Sequence, residues 1–438
     1  MPRITLVIGI AGTLFFNMAA QFSYAQENTA DNESFDSVWD DDWGEDTYNS
    51  TKNINVASFS GFTETLYGSR LSNSEFHKKT SIEDIRLRLE TKLDIYSVNI
   101  VSKGDIYYDG VLDDWRGNFR ELRLDYSWKQ TDLKVGRQVL TWGTGDFLFL
   151  NDFFPKDWQS FFSGRDDEYL KASSNAVKLS LYSSIINTDF VWVPKFEPDN
   201  YVRGDYYSFF NPLSNSISAP NLEANEPDNS EFAIRLFKTI NSYELGGYFY
   251  RGYFKSPNGF SEQGELEFSR LQSLGFSVRG QAGDGLINLE TSYLNSLDDK
   301  EGNDPLISNS QFRFLIGYEQ ELRERLTAST QIYLERTLKY NQLVESSFNP
   351  TIEPNENRTL LTLRLGWRSR NDKLRLSLFT FYSPSDSDSY WRPSVNYRVD
   401  DHWNVSFGGN VFEGKDENTF FSQLDDNENL FLRVRYNY

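Results

Sequence analysis

The sequence predicts an all-β fold: a transmembrane antiparallel up-and-down β-barrel of about 18 strands. Three observations lead to this prediction. Apolar and polar residues alternate along many segments, and short turns alternate with long polar loops. After the N-terminal 25 residues, no segment is apolar for long enough to form a membrane helix. The mean hydropathy of −0.58 fits a membrane barrel, because only every second residue of its strands faces lipid.

Alternation with a period of two residues is clearest in 85–95, where apolar and charged residues exchange places over eleven positions. The pattern recurs in 122–128, 361–368, 403–407 and 430–438. Successive side chains of a strand point to opposite faces, whereas a helix would distribute these charges over its whole surface. The strands are predicted at about 56–69, 81–95, 98–108, 118–128, 131–142, 175–182, 186–194, 231–238, 243–251, 266–279, 285–295, 310–320, 325–335, 359–368, 373–383, 390–399, 402–412 and 429–438.

The connections between these strands alternate between two kinds. One set consists of turns of a few residues, such as 96–97 and 129–130. Short turns at one end and long loops at the other are typical of bacterial outer-membrane barrels, with the short turns in the periplasm. The long set comprises 143–174, 195–230, 252–265, 296–309, 336–358 and 413–428.

Residues 1–25 are predicted to be a cleavable signal peptide. Arg3 provides the basic start, residues 6–16 form a short apolar core, and Ser23-Tyr24-Ala25 is a small-x-small cleavage site. The alternative, a single membrane anchor, requires a longer apolar run.

Residues 26–54 are predicted to form an acidic, disordered periplasmic segment ahead of a barrel at 55–438. Residues 27–50 contain nine acidic residues and no Lys or Arg, and self-repulsion disfavours a packed structure. Trp39 and Trp43 suggest that this segment binds a periplasmic partner or the barrel interior. A solvated tail is the simpler alternative.

The last strand and the outward aromatic residues indicate which membrane the barrel occupies. Residues 430–438 resemble the C-terminal targeting strand of outer-membrane barrels, although Phe is more common than Tyr at its end. The implied partners are outer-membrane lipid and the barrel assembly machinery. Aromatic girdles are expected where strands meet the lipid headgroups. The candidate girdle residues are Tyr126, Trp128, Trp367, Tyr382, Trp403 and Tyr436.

If apolar residues face lipid, their neighbours face the lumen. The strands in the last quarter of the chain then place a wall of arginines inside, which could concentrate and clamp anions. Pairing of these arginines with acids across the lumen or on an inserted loop is the alternative. The candidate anion-facing residues are Arg364, Arg368, Arg375, Arg392, Arg398, Arg433 and Arg435.

Segment 143–174 is the best candidate for an inserted loop, because its many aromatic residues are unfavourable in a freely solvated loop. In classical porins the third loop folds inward and its acids face arginines. By that analogy Asp166, Asp167 and Glu168 would face the arginine wall at a constriction. The alternative is an extracellular cap with its own small core.

The segment 135–143 resembles the "GRQ…WG" strand of porin-like Gram-negative families. It is similar to barrels of the alginate-export type and to related uncharacterised outer-membrane proteins. The resemblance implies an 18-stranded channel with a basic lumen that passes polar or anionic solutes, including oligo- or polysaccharides.

Other functions receive less support from the residues. Catalysis has only His77 and His402 available, at opposite ends of the barrel and without a supporting motif. No cofactor is expected, the absence of Cys excludes a thiolate metal site, and a pI of about 4.7 disfavours nucleic-acid binding. The predicted function is an outer-membrane channel. The alternative is a binding or assembly protein, such as an adhesin or the partner of an inner-membrane exporter.

Overall fold

The computed structural model describes residues 56–438 except Leu213, Leu222, Glu262 and Gln263. The predicted signal peptide, the acidic segment and its tryptophans therefore lie outside the described residues. The described part forms one closed antiparallel sheet of 18 strands. They are β1 (Val56–Arg70), β2 (Thr80–Ile95), β3 (Val98–Asp109), β4 (Asp114–Trp128), β5 (Thr131–Val139), β6 (Ser173–Leu181), β7 (Asn187–Val193), β8 (Glu231–Ile240), β9 (Tyr243–Tyr253), β10 (Arg270–Ala282), β11 (Gly285–Ser296), β12 (Gln311–Arg323), β13 (Leu326–Thr337), β14 (Asn357–Arg368), β15 (Leu374–Ser383), β16 (Asp388–Arg398), β17 (Trp403–Gly414) and β18 (Asn429–Asn437).

Each strand pairs with its neighbours in sequence, and the first strand pairs with the last. β1 and β18 are joined from Phe62↔Asn437 to Arg70↔Asn429. Closure gives backbone groups hydrogen-bond partners within the sheet, which is required where lipid replaces water. The predicted up-and-down barrel and its strand count are confirmed.

The outward face of the barrel is apolar. Leu89, Phe119 and Leu274 are 55%, 55% and 57% exposed, and the six candidate girdle residues are exposed as well. Such a continuous apolar surface is unfavourable in water but suits a bilayer. These features are those of a transmembrane barrel. Among the described residues, no helix is both long and apolar enough to span a membrane.

Short elements lie in the long loops, at the end of the barrel that is extracellular in such proteins. The helices are α1 (Trp158–Ser163) and α2 (Tyr340–Ser346), with 3-10 turns at Asp167–Leu170 and Ser422–Asn427. Phe209–Asn211 pairs with Ser216–Ser218. Another small sheet joins Ala224–Asn225, Leu266–Glu267 and Gly259–Phe260.

Several predicted strand boundaries differ from the structure by three or four residues, and two of these differences have identifiable reasons. The strand predicted at 266–279 begins at Arg270, because Leu266–Glu267 pairs within a loop sheet instead. The strand predicted at 131–142 ends at Val139, because the following Leu140 and Trp142 turn into the barrel and are buried there.

The barrel wall is uneven in height. β5, β6 and β7 have 9, 9 and 7 residues, whereas β2 has 16 and β4 has 15. β3 pairs with β4 up to Asp109↔Asp114, but the highest pair between β4 and β5 is Leu122↔Arg137. The upper part of β4 therefore has no strand partner on its β5 side, and we call this interruption the β4–β5 notch.

Candidate functional site in the barrel lumen

The segment 140–172, here called the inner loop, lies inside the barrel. Trp142 packs its ring 5.0 Å from Phe154 and 6.0 Å from Tyr248, a lumen-facing residue of β9. Phe153 stacks on Tyr250 at 4.9 Å. Burying an aromatic side chain contributes about 2 kcal/mol or more, so these rings favour the inward position over a solvated cap.

A second aromatic cluster holds α1 against the opposite wall. Phe161 and Phe162 lie 5.9 and 5.5 Å from the ring of Tyr390 on β16. Phe162 also contacts Phe412 at 5.7 Å, and its carbonyl accepts a hydrogen bond of 3.2 Å from Asn429. The inner loop is thus packed against both sides of the lumen.

The ends of α1 explain how the chain turns inside this narrow space. The Asp157 carboxylate caps the helix by accepting a hydrogen bond of 2.7 Å from the Ser160 amide. Gly164 ends it with φ of 91°, a conformation that favours glycine. A Cβ at Gly164 would collide with the ring of Phe431 on β18. Only glycine allows the loop to pass this close to the wall.

The three predicted constriction acids follow directly after this turn. Asp166 lies 3.2 Å from Arg433 and 3.1 Å from Arg435, measured between carboxylate and guanidinium atoms. Asp167 lies 2.6 Å from Arg392. Burial opposes ionisation of Asp166, but the charges of Arg433 and Arg435 outweigh it and hold the pKa of Asp166 below its ordinary value.

Glu168 turns to a different part of the wall. Its carboxylate lies 2.9 Å from Arg88 on β2, and the same guanidinium donates a hydrogen bond of 2.7 Å to the Tyr169 hydroxyl. Asp105 on β3 also pairs with Arg88 at 2.6 Å. Asp166 and Asp167 therefore contact arginines of the last quarter of the chain, whereas Glu168 contacts Arg88 on β2.

Four of the predicted anion-facing arginines pair with carboxylates. Besides the contacts of Arg392 and Arg433, Arg435 lies 2.7 Å from Glu64, and Arg364 pairs with Asp146 at 3.2 Å. These four residues match the alternative in which lumen arginines pair with acids. They hold the inner loop and do not present a bare cationic wall.

The other three predicted arginines lie at the short-turn end of the barrel. Arg368 and Arg375 are cross-strand partners on β14 and β15, and Arg398 is exposed at the end of β16. All three are far along their strands from the long loops. The structure does not bring them together with Asp166, Asp167 or Glu168 in the described ion pairs.

A cavity of about 550 Å³ remains between the inner loop, the wall from β2 to β6 and the loop that follows β7. Its position near the upper ends of β3 and β4 places it on the extracellular side of the inner loop. Its basic lining residues are Arg86, Arg116, Arg120, Arg137, Arg165 and Lys195. Its acidic lining residues are Asp105, Asp157, Glu197 and Glu226.

Arginine side chains in the cavity are held in fixed positions. The Arg86 guanidinium lies 4.2 and 4.4 Å from the ring centres of Tyr107 and Tyr169, and 3.3 Å from Asp105. Cation–π contacts and ion pairs of this kind orient the planar group. Arg165 is fixed by Asp84 at 2.8 Å.

Arg120 differs from these neighbours in its partners. Its guanidinium donates to the main-chain carbonyls of Glu168 and Lys171, the latter at 2.9 Å, and not to a carboxylate. The residue sits at a bulge, where the β3–β4 register shifts between Lys103 and Gly104. Sequence alternation cannot locate a bulge, and this explains why the sequence did not single out Arg120.

The loop after β7 covers the extracellular side of this site. Its Tyr206 and Tyr207 are buried, and the Tyr207 hydroxyl donates a hydrogen bond of 2.8 Å to the Gln159 carbonyl of the inner loop. The Arg70 guanidinium donates a hydrogen bond of 2.6 Å to the Tyr206 carbonyl, and the Asn427 side chain donates one of 2.7 Å to the Ser208 carbonyl. The loop after β7 and the loop before β18 therefore restrict the extracellular opening of the barrel together.

The residues available for other chemistry are few. His77 lies in the loop between β1 and β2, and His402 in the turn before β17, at opposite ends as the sequence predicts. Within the described part of the chain, no group of three or more His, Cys, Asp or Glu side chains could hold a metal ion.

Comparison with known proteins finds similarity at the level of structure. No family model matches the chain, and no curated protein matches it. OccD3 (OpdP) of Pseudomonas aeruginosa aligns with a TM-score of 0.55 and 9% identity over 89% of this chain and 92% of that chain. OccAB3 of Acinetobacter baumannii aligns with a TM-score of 0.54 and 11% identity over 87% and 99%.

OccK2 (OpdF) of Pseudomonas aeruginosa, solved in complex with glucuronate, aligns with a TM-score of 0.53 and 13% identity over 87% of this chain and 97% of that chain. At such identities the likeness establishes the fold, which is that of outer-membrane porins. The expected similarity to alginate-export-type barrels has no support beyond this shared porin-like architecture.

Proposed function

We propose that the protein is an outer-membrane channel that passes small polar or anionic solutes. The observation that carries this proposal is the cavity of about 550 Å³ with six basic and four acidic lining residues. This excess of cationic groups favours anions at the entrance. A barrel with the porin fold provides the route across the membrane.

The size of the cavity favours a small solute over a polymer. Small-molecule sites typically measure about 300–1,000 Å³, and this cavity falls within that range. The inner loop is fixed to strands on several sides of the lumen, which restricts a polysaccharide chain. We therefore propose a sugar acid or comparable carboxylate as the substrate, and the glucuronate complex of OccK2 supports this choice of probe.

Arg120 and Arg116 are the groups proposed to meet the carboxylate. Arg120 bonds main-chain carbonyls, and the Arg116 guanidinium is 3.8 Å from Asp114, a loose contact for an ion pair. Guanidinium groups bind carboxylates with paired, charge-assisted hydrogen bonds. Arg86 and Arg165, which already pair with acids, position the surrounding wall.

Solute flux into liposomes tests the proposal. We expect glucuronate to enter faster than glucosamine, and Arg120→Gln to reduce glucuronate flux more than glucose flux. Arg398→Gln serves as the matched control, because it removes an exposed guanidinium at the other end of the barrel. Equal flux of the anionic, neutral and cationic sugars in the wild-type protein would contradict the anion preference. A protein that passes none of them would contradict the channel.

A further inference from the structure

The lining of the cavity includes residues from both faces of the barrel wall. Arg137 on β5 pairs with Asn175 on β6. The residues adjoining this pair, Gln138, Ser174 and Ala176, are buried on the lumen side. Because faces alternate along a strand, Arg137 and Asn175 point outward, yet both line the cavity. The cavity therefore reaches the outer surface at the β4–β5 notch.

The outer rim of the notch is apolar. Trp115 and Phe119 on the upper part of β4 are 62% and 55% exposed, and Leu122 just below is 49% exposed. On the inner side of the same strand, Arg116 and Arg120 line the cavity. The upper part of β4 thus separates an apolar outer surface from a cationic cavity wall.

A carboxylate of the chain itself already occupies the notch. Glu197, from the loop after β7, lies 2.8 Å from the Arg137 guanidinium. It also accepts hydrogen bonds of 2.7 and 2.9 Å from the main-chain and side-chain nitrogens of Asn175. These donors hold one carboxylate of the protein at the notch through charge-assisted hydrogen bonds.

We propose that the β4–β5 notch is a lateral binding site for an amphiphilic anion. The phosphate, sulfate or carboxylate headgroup enters the cavity toward Arg116 and Arg120, while the alkyl chain remains against Phe119 and Leu122. Charge complementarity selects the headgroup, and the apolar rim selects the chain. An outer-leaflet lipid and a dissolved amphiphile share this chemistry. The site goes beyond the proposed solute passage, which needs only the aqueous cavity.

Single-cysteine variants test whether the notch connects water and lipid, because the chain contains no cysteine. Full-length protein in phosphatidylcholine vesicles is treated with a charged methanethiosulfonate or with a lipid-dissolved alkyl maleimide. We expect Asn175→Cys to react with both reagents. Leu124→Cys, on the intact outer wall, should react with the lipid reagent, and Tyr107→Cys, inside the cavity, with the charged reagent. If Asn175→Cys behaves like either control, the notch does not connect the two phases.

The chemistry of the ligand is then tested by asking which added compounds slow the reaction of Asn175→Cys with the charged reagent. We expect dodecyl phosphate to slow labelling about tenfold, with Arg116→Gln abolishing most of this effect, as expected for loss of a charge-assisted hydrogen bond. Equal protection by inorganic phosphate would reduce the site to a free-anion site, and equal protection by dodecanol would reduce it to an apolar surface. Either result overturns the proposal.

Two further experiments identify the source of the amphiphilic ligand and control for misfolding of the variants. Vesicles containing phosphatidylglycerol should protect Asn175→Cys if a bilayer lipid is the ligand, whereas protection by added dodecyl phosphate alone indicates a dissolved amphiphile. Arg116→Lys retains the cation where Arg116→Gln fails to fold, and it should retain protection. Glucuronate flux through Asn175→Cys without an added amphiphile, where Arg116 and Arg120 are intact, reports the channel function separately from amphiphile binding.

Discussion

The acidic part of the inner loop offers the most direct test of how the lumen is restricted. Asp166→Asn removes one carboxylate that lies 3.2 Å from Arg433 and 3.1 Å from Arg435 while preserving the shape of the side chain. Breaking a fully buried ion pair costs about 3–5 kcal/mol. Asp166 retains 19% exposure of its side chain, and Arg435 keeps Glu64 at 2.7 Å. A cost of about 1.5–3 kcal/mol is therefore expected.

This cost is carried by local loop anchoring and not by the barrel sheet. A loss of about 1.5–3 kcal/mol raises the population of the released loop by roughly 10-fold to 150-fold. The lumen also gains net positive charge. In single-channel recordings we expect higher conductance, more frequent current fluctuations and stronger anion selectivity. Asp401→Asn, in an exposed turn at the other end, is the matched control and should leave all three unchanged.

The result that would refute this reasoning is equally specific. If Asp166→Asn conducts like the wild-type protein, the aromatic contacts alone hold the inner loop, and its ion pairs do not set the size of the lumen. Conductance with increased cation selectivity would show that Arg433 and Arg435 do not face the permeation path. Thermal unfolding of the barrel distinguishes both from a folding defect.

Three other predictions address the same loop. Phe161→Ala, which empties an aromatic site inside the lumen, should destabilise the loop by about 3–5 kcal/mol and expose it to limited proteolysis, whereas Phe420→Ala, at a 44% exposed position, should not. Gly164→Ala should lower the folding yield in detergent, because φ of 91° and the ring of Phe431 both oppose a Cβ; normal yield would show that the turn can relax. The pKa of Asp166 is depressed in the folded loop, so its contribution to loop anchoring is complete above about pH 4 and is lost as the pH falls toward the folded pKa. Current fluctuations of the wild-type protein should therefore increase as the pH is lowered. The fluctuations of Asp166→Asn should not depend on pH in this way.

Alternation in the sequence predicts the strands and the face that each residue occupies, because both are local properties of a β-strand. It correctly separates Leu430 and Tyr436 on the lipid side from Arg433 and Arg435 on the lumen side. The aromatic content of segment 143–174 separately predicts that these residues are buried, and in the structure they pack inside the barrel.

The pairing of charges inside the lumen could not be predicted in the same way. Asp166 and Arg435 are 269 residues apart, and their contact depends on the path of the inner loop, which local patterns do not specify. Leu140 and Trp142 lie on the opposite face from Leu133 and Val135, so the alternation of β5 changes phase after Val139. The predicted strand runs through this change of phase and therefore ends too late. The position of Arg120 depends on a bulge in β4. The notch depends on this bulge and on the end of β5 at Val139.

Asp166 also links the first and last strands of the barrel through its ion pairs. Its partners Arg433 and Arg435 belong to the last strand, while Glu64 of the first strand shares Arg435, so the inner loop bridges the seam where the cylinder closes. In the folded barrel the inner loop and the last strand therefore hold each other in place through these ion pairs. A chain lacking that strand would keep two acidic groups inside without their cations, in addition to an open edge.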